Sequence, residues 1–438
     1  MTNSLVSKII SRIRQQKLMQ DITYSVMSFF VLGVSGIVIN IAITATRNAA
    51  ALAVFNLAYA VYIIASQFAA WGIHYSVLRY AAYYHDDPVE RGQMLFTASS
   101  LSILFGFLVA TVIAQCEPLF AYAFHSDETG RAIFYAACGL TLFPLNKVLL
   151  AYLNGLRKIK AFSALQGLRY LTVMVVVTLV SITAAPIVYA TFAFLIAEAL
   201  TVFFSCLYLY RGSLTGLLSF SSLWAVKHLK FGTKSLMAGM FTEINTRVDV
   251  LMIGFFLTEH ATGVYSFAAM LVDGLYHVLA MIRINFNPIL VGILRDGDWS
   301  KAKILRAQSQ KYVLPILIVL SIVLICAYDV LATYIMPGKS LLEGLPSLVI
   351  LLFGLNLIAI FVPFDNLLVI SGHPGYQTIQ QFVMVISNII AAVLFVPVIG
   401  IEGAAIGTVI SYLAGILMMM FFTHRLLSWN LFLNKVRV

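Results

Sequence analysis

Charge is scarce in this chain. Asp, Glu, Lys and Arg together make up 11% of its 438 residues, while hydrophobic residues make up 61%. A soluble domain carries charge on roughly a quarter of its residues, so a polar-surfaced globular fold is excluded. Cysteine is nearly as rare. Cys116, Cys138, Cys206 and Cys326 show no metal-ligand spacing and are expected to pack as small apolar residues. No Gly-x-x-x-x-Gly-Lys-Ser/Thr pattern occurs, which removes ATP hydrolysis by a phosphate-binding loop. The net charge of +10 comes without a basic folded surface, so no nucleic-acid partner is expected.

What the chain does have is apolar runs, each long enough to cross a ~30 Å hydrocarbon core as a helix. Twelve are read, at residues 22–44, 49–72, 95–116, 132–153, 162–183, 187–209, 231–256, 263–291, 312–334, 345–370, 378–397 and 402–422. Of the 28 Lys and Arg residues, five lie within spans and the rest sort by side. One side holds Lys8, Arg12, Arg14 and Lys17 at the N-terminus, Arg79, Arg91 and Arg211, the clusters at 157–160, 227–230 and 295–311, and Arg425, Lys435 and Arg437. The other side holds only Arg47, Arg131 and Lys339. The positive-inside rule makes the first side cytoplasmic, with both termini inside. Residues 1–21 then read as a basic, partly amphipathic segment lying on anionic lipid, rather than a secretory signal. The expected organisation is an N-lobe at 22–211, a cytoplasmic linker at 212–230, a C-lobe at 231–425 and a cytoplasmic tail at 426–438. The largest outer loop, 117–131, carries His125, Asp127 and Glu128 and is too short for a catalytic domain. Asp86-Asp87 reads as a solvated turn before Pro88 rather than a metal-binding pair.

The halves repeat. AVFNLA at 53–58 corresponds to GVYSFA at 263–268, and FPLNKVLL at 143–150 to VPFDNLLV at 362–369. The sixth and twelfth spans end alike, at Arg211 and Arg425. Six spans per half give both halves the same orientation, related by an axis along the membrane normal. The fold expected is an all-α membrane protein, with twelve transmembrane helices in two pseudo-symmetric six-helix lobes and a central cleft. The stretch NTRVDVLMIG from Asn245 to Gly254, followed by GVYSFA, resembles the seventh and eighth spans of polysaccharide exporters. So do PVIGIEGAAIGT at 397–408 and NGLR at 154–157. These exporters are O-antigen-type lipid-linked oligosaccharide flippases of the multidrug/oligosaccharidyl-lipid/polysaccharide (MOP) exporter superfamily.

An ionisable group in hydrocarbon costs a few kcal/mol unless it faces protein or water, so the polar residues inside the spans carry the functional reading. In the seventh span Thr242, Asn245, Thr246 and Asp249 fall on one stripe, and Glu243 and Arg247 sit four apart, where they can pair. Arg247 lies about 24 Å along the helix from Phe231, too deep to snorkel to the cytoplasm. It can meet an anion, and Asp249 a proton or Na⁺; the alternative is a closed structural pair. In the eighth span Asp273, Tyr276, His277 and Arg283 share a stripe, and a carboxylate beside an imidazole can exchange protons near neutral pH. Lys147, Arg169, Lys234 and Arg283 lie within two or three turns of the cytoplasmic ends of their spans. There they can either hold phosphate or snorkel to the headgroups. Glu198 and Asp365 are further coupling candidates, the latter just after Pro363, where a kink can free backbone groups.

The resemblance implies a substrate. An undecaprenyl-diphosphate-linked oligosaccharide, an O-antigen or exopolysaccharide repeat unit, would pass from the cytoplasmic to the periplasmic leaflet by alternating access. Arg247, Arg283, Lys147, Arg169, Lys234 and Asn245 would bind the diphosphate and sugar. Asp249, Asp273, His277, Glu198 and Asp365 would couple the cycle to H⁺ or Na⁺, with no resident cofactor and no catalytic residue. A monomer in lipid, serving a polysaccharide polymerase and a chain-length regulator, completes the expectation. The alternatives are a cation-coupled multidrug exporter of the same superfamily and a membrane polymerase or glycosyltransferase.

Overall fold

The computed structural model describes residues 20, 23–24, 27–28, 30–212 and 219–436. The basic N-terminal segment, the start of the first expected span, part of the linker and the last two residues lie outside them. The first half is helical throughout: α1 (Phe30–Thr46), α2 (Ala49–Ala70), α3 (Ile73–Tyr83), α4 (Pro88–Gln115), α5 (Glu117–Ala123), α6 (Asp127–Leu140), α7 (Phe143–Gly155), α8 (Ile159–Ile182) and α9 (Phe192–Gly212). The boundaries have local causes. Asp87 caps α4, accepting from the Val89 and Glu90 backbone N–H groups at 3.1 and 3.0 Å, and Pro88 fills the first helical position, where no donor is needed. α6 and α7 bend by 42° at Thr141-Leu142, where Pro144 opens the next helix without an N–H.

The second half continues with α10 (Ser222–Asn245), α11 (Val248–Phe256), α12 (Glu259–Asp296), α13 (Trp299–Gln308), α14 (Leu314–Val330), α15 (Leu345–Ile358), α16 (Leu367–Ile370), α17 (Pro374–Ile399) and α18 (Ile401–Leu427). A short hairpin closes the chain. Its strands β1 (Trp429–Asn430) and β2 (Lys435–Val436) pair antiparallel, Trp429 with Val436 and Asn430 with Lys435.

Among the described residues, nine helices are long and apolar enough to cross a membrane, or ten if the bent α6–α7 pair is one span. The count of twelve is therefore not reached on those criteria. The first span is described only as the 17-residue α1, and the seventh is interrupted. Residues 231–256 were expected as one helix, but α10 ends at Asn245 and α11 begins at Val248. Other spans are longer than expected: α12 runs 38 residues, and a continuous helical run extends from Trp299 to Ile335. The tenth span breaks after Ile358 around Pro363, as its proline predicts, at the position that repeats the α6–α7 bend.

Packing divides the described chain into two compact units. The first holds the residues up to Ala42, Val61–Pro118 and Arg131–Leu236, and the second holds Ile43–Ala60, Leu119–Gly130 and the residues from Met237 onward. These follow the two halves of the sequence except at three places, where 43–60 and 119–130 join the second unit and the start of α10 joins the first. The core of the first unit is built from Ile73 and Val77 of α3, Met94 and Ala98 of α4, Leu149 and Leu153 of α7, and Trp224 of α10. The second buries Ile253, Phe267, Leu348, Leu355, Ala392 and Ala404. Large apolar side chains also cover outer faces, as with Ile103, Phe107 and Val112 on α4 and Ile316, Val319 and Val323 on α14. A patch of that size is unfavourable in water and suits lipid tails.

Contacts within each unit join segments expected on one membrane side. Lys339 donates to the Arg47 carbonyl, Thr129 Oγ1 donates to Glu259 Oε1 at 2.9 Å, and His260 lies 3.4 Å from Glu343. All of these come from segments read as outer. Trp224 Nε1 donates to Glu90 at 2.8 Å, and Asn434 to the Lys303 carbonyl at 2.9 Å, all from segments read as inner.

Candidate functional site

In the first unit the polar residues converge on Glu198, whose side chain on α9 is 1% exposed. Arg169 Nε of α8 lies 2.6 Å from Oε1, Asn146 Nδ2 of α7 donates to Oε2 at 2.5 Å, and the Tyr62 hydroxyl of α2 donates to Oε1 at 3.1 Å. The bend before Phe143 brings Asn146 to this point, since Asn146 lies in the first turn after it. Phe143 forms the floor: the Arg169 guanidinium sits 5.2 Å from its ring centroid and the Lys147 ammonium 5.4 Å. Two residues read as having separate roles, Arg169 for substrate and Glu198 for coupling, are thus one neutralised pair. A buried pair whose carboxylate accepts three hydrogen bonds is rigid, and breaking it leaves a bare charge. Lys234, on α10, is exposed.

The second unit repeats the arrangement. Arg283 Nη1 of α12 lies 2.9 Å from Asp365 Oδ2, just beyond the break at Pro363, and Gln380 Nε2 of α17 donates to Asp365 Oδ1 at 2.9 Å. Again a candidate substrate cation and a candidate coupling acid prove to be partners. Sequence spacing could not have paired residues 82 positions apart.

A third cluster, also in the second unit, is different. The α10–α11 break leaves Arg247 as the cap of α11, with φ −129° and ψ −10°. The expected Glu243–Arg247 pair is not among the ion pairs of the described residues. The reason is the break itself, since two non-helical residues remove the one-turn stacking that brings positions four apart together. The guanidinium instead lies over the Tyr59 ring of α2, 4.9 Å from its centroid. Two residues on, Asp249 sits in the first turn of α11, where the helix dipole favours a carboxylate. Its Oδ1 accepts from the Val250 N–H at 2.8 Å and its Oδ2 from the Tyr265 hydroxyl at 2.7 Å. Tyr265 lies beside Thr408 of α18. The Thr408 hydroxyl and both side-chain polar atoms of Asn388, on α17, are buried without a hydrogen-bond partner. Asn388 lies against Gly407 and is fully buried. One carboxylate with neutral oxygens from Asn and Thr is a donor set suited to a hard monovalent cation or a proton. Among the described residues no group of three His, Cys, Asp or Glu could hold a metal ion. Asn245 accepts from Ser411 at 3.0 Å, which ties the end of α10 to α18. Asp273 is partly buried and His277 exposed on α12.

Sequence reasoning named Arg247, Asp249 and Asp273 but on two separate helix stripes, and it missed Tyr59, Tyr62, Tyr265, Asn388 and Gln380. The available signal was polarity within apolar runs, which picks out Asn388 and Gln380. The tyrosines gave none, because aromatic residues in a span are ordinarily read as interface anchors.

Residues 18–288 match the family described as polysaccharide biosynthesis protein. No curated protein matches the sequence. The fold is similar to a structure described as the lipid II flippase MurJ in an inward closed conformation, with TM-score 0.73 and 16% identity, covering 91% of this chain and 87% of that one. It is similar also to an inward-facing multidrug resistance MATE family transporter of the MOP superfamily, with TM-score 0.74 and 15% identity, covering 91% and 94%. A further likeness, at TM-score 0.56 and 13% identity over 92% and 94%, is to a MOP superfamily transporter from Pyrococcus furiosus whose binding pocket is described as having reverse polarity. The chain is an all-α membrane protein with the fold of the MOP transporters, and it belongs to the polysaccharide biosynthesis protein family.

Proposed function

We propose that this protein is a flippase, not an enzyme. It carries an undecaprenyl-diphosphate-linked oligosaccharide, an O-antigen or exopolysaccharide repeat unit, from the cytoplasmic to the periplasmic leaflet by alternating access. The observation that carries the reading is Arg247. Of the candidate cations it is the arginine held by a ring rather than by a carboxylate. Its fork of donors fits the planar oxygens of a diphosphate, while the polyprenyl tail stays in lipid. Twelve crossings, both termini in the cytoplasm of the inner membrane, and a polymerase with its chain-length regulator downstream belong to the same reading.

Coupling is assigned to Asp249 together with Thr408 and Asn388, with Asp273 as a second carboxylate nearby. Arg169–Glu198 and Arg283–Asp365 are assigned to holding each unit's helices in place. A second reading has an observation in its favour. Glu243, Asp249 and Asp273 all act electrostatically on the one Arg247, an acidic balance that suits a cationic drug.

The test is transfer in proteoliposomes. A fluorescent polyprenyl-diphosphate oligosaccharide should change leaflet only under an imposed H⁺ or Na⁺ gradient, and Asp249→Asn should remove the gradient dependence. Export of a cationic dye, with no lipid transfer, would move the protein to the drug-exporter branch.

A further inference from the structure

We infer that Tyr59 is the positioning residue of an oxyanion site on Arg247: its ring holds the guanidinium by the face and leaves the in-plane N–H donors open to a diphosphate. This rests on the flippase reading and gives the site a second residue.

Of the arginines held away from water among the described residues, Arg169 and Arg283 pair with an acid, and Arg306, 5% exposed, lies 4.9 Å over the Phe361 ring and donates to the Leu431 carbonyl and to Gln310. Arg169 has Glu198 at 2.6 Å and Arg283 has Asp365 at 2.9 Å. For either to bind a phosphate, its carboxylate must first be displaced and left buried and unpaired. Arg247 has no carboxylate within ion-pair distance among the described residues, and its Nε is buried without a hydrogen-bond partner. What it has is the Tyr59 ring, 4.9 Å away. That ring is itself fixed. Phe55, one turn earlier on α2 and 3% exposed, stacks with it at 6.5 Å between centroids and 8° between planes.

The chemistry of the two kinds of support differs. A carboxylate engages the edge of the guanidinium, where all five N–H groups lie, and so occupies the groups that would grip a ligand. An aromatic ring engages the face and uses none of the donors. With Nε buried, the two terminal Nη groups are the edge that Arg247 keeps for a planar pair of oxygens. Glu243, Asp249 and Asp273 act on the same cation at longer range. The backbone contributes as well. Arg247 stands at the break between α10 and α11, so its position is set by two helix ends rather than by one helical register. A lysine there could neither stack by a face nor offer a fork.

The ligand class is an oxyanion with two coplanar oxygens, and the probe is undecaprenyl diphosphate without sugar, with inorganic pyrophosphate as soluble competitor. Binding to the full-length protein in detergent would be measured for the wild type and for Arg247→Ala, Arg247→Lys, Tyr59→Phe and Tyr59→Leu, with melting temperatures alongside. Arg247→Ala should weaken binding tenfold or more. Tyr59→Phe, which keeps the ring, should bind within about twofold of wild type, and Tyr59→Leu should lose about three- to tenfold at an unchanged melting temperature. Arg247→Lys should fall with Tyr59→Leu, and this holds the inference testable if the leucine variant does not fold. Wild-type binding in Tyr59→Leu, with Arg247→Ala defective, would reduce Tyr59 to packing and overturn the inference alone. Wild-type binding in Arg247→Ala would overturn the flippase site itself, and the role of Tyr59 with it.

Discussion

At the scale of single residues, the chain separates charges that are satisfied from charges that are available. Glu198 is satisfied three times over, by Arg169, Asn146 and Tyr62. Glu198→Ala should therefore cost about 3–5 kcal/mol by stranding Arg169, whereas replacing both partners with Met and Leu should cost far less, because no bare charge remains. Thermal unfolding in detergent reads both. His228 gives a pH test on the segment expected at the cytoplasmic surface. Burial pushes its imidazole down to about 4, opposed by its contact with the Met94 carbonyl and reinforced by Lys227. Its Nδ1 lies 2.8 Å from Ser76 Oγ. The ring takes up a proton more readily in the unfolded chain than in the folded one. Stability from this group is thus complete above the ordinary value of about 6.5 and drains away as pH falls toward 4. Melting temperature should drop across that window, and the drop should be smaller in His228→Gln. The sequence disclosed which residues are charged and roughly how deep each sits. It could not disclose that Arg169 and Glu198, or Arg283 and Asp365, are partners, since each pair is made by helices meeting across the fold.

At the scale of elements, apolar length and periodicity made most helices legible, while the breaks were legible only where proline marks them. Pro144 and Pro363 announce the bends of the fourth and tenth spans. The break at Thr246-Arg247 has no proline or glycine, and the unbroken polar stripe across it read as helix. It is held open by tertiary bonds, such as Ser411 to Asn245, that no local rule contains. Close approach at glycine is the other element-level device. Gly263, in the second turn of α12, packs directly on the Ala49 carbonyl at the start of α2, and Gly254 of α11 admits Leu57, whose Cδ2 would lie 2.6 Å from an added Cβ. Gly263→Val has no room without prising α2 from α12. Transfer activity should fall by tenfold or more in Gly263→Ala as well as in Gly263→Val, because the first added carbon would already collide with the Ala49 carbonyl oxygen, and side-by-side proteoliposome rates check it.

At the scale of the whole molecule, the sequence revealed the class and the likeness to polysaccharide exporters, and the family match and fold agree with both. It did not reveal how packing divides the chain. Residues 43–60 and 119–130 belong by order to the first half and by contact to the second unit. Apolar pattern says that a segment is buried, never against what. That exchange is what brings Tyr59 to Arg247. The central claim is that Arg247 grips the diphosphate of a lipid-linked oligosaccharide during leaflet transfer. The most direct measurement is the transfer rate of a fluorescent polyprenyl-diphosphate oligosaccharide in proteoliposomes for wild type and Arg247→Ala, matched for protein incorporated and melting temperature. Gradient-driven transfer is expected in the wild type, with at least a tenfold loss in the variant. Equal rates would contradict it and leave Arg247 a structural residue.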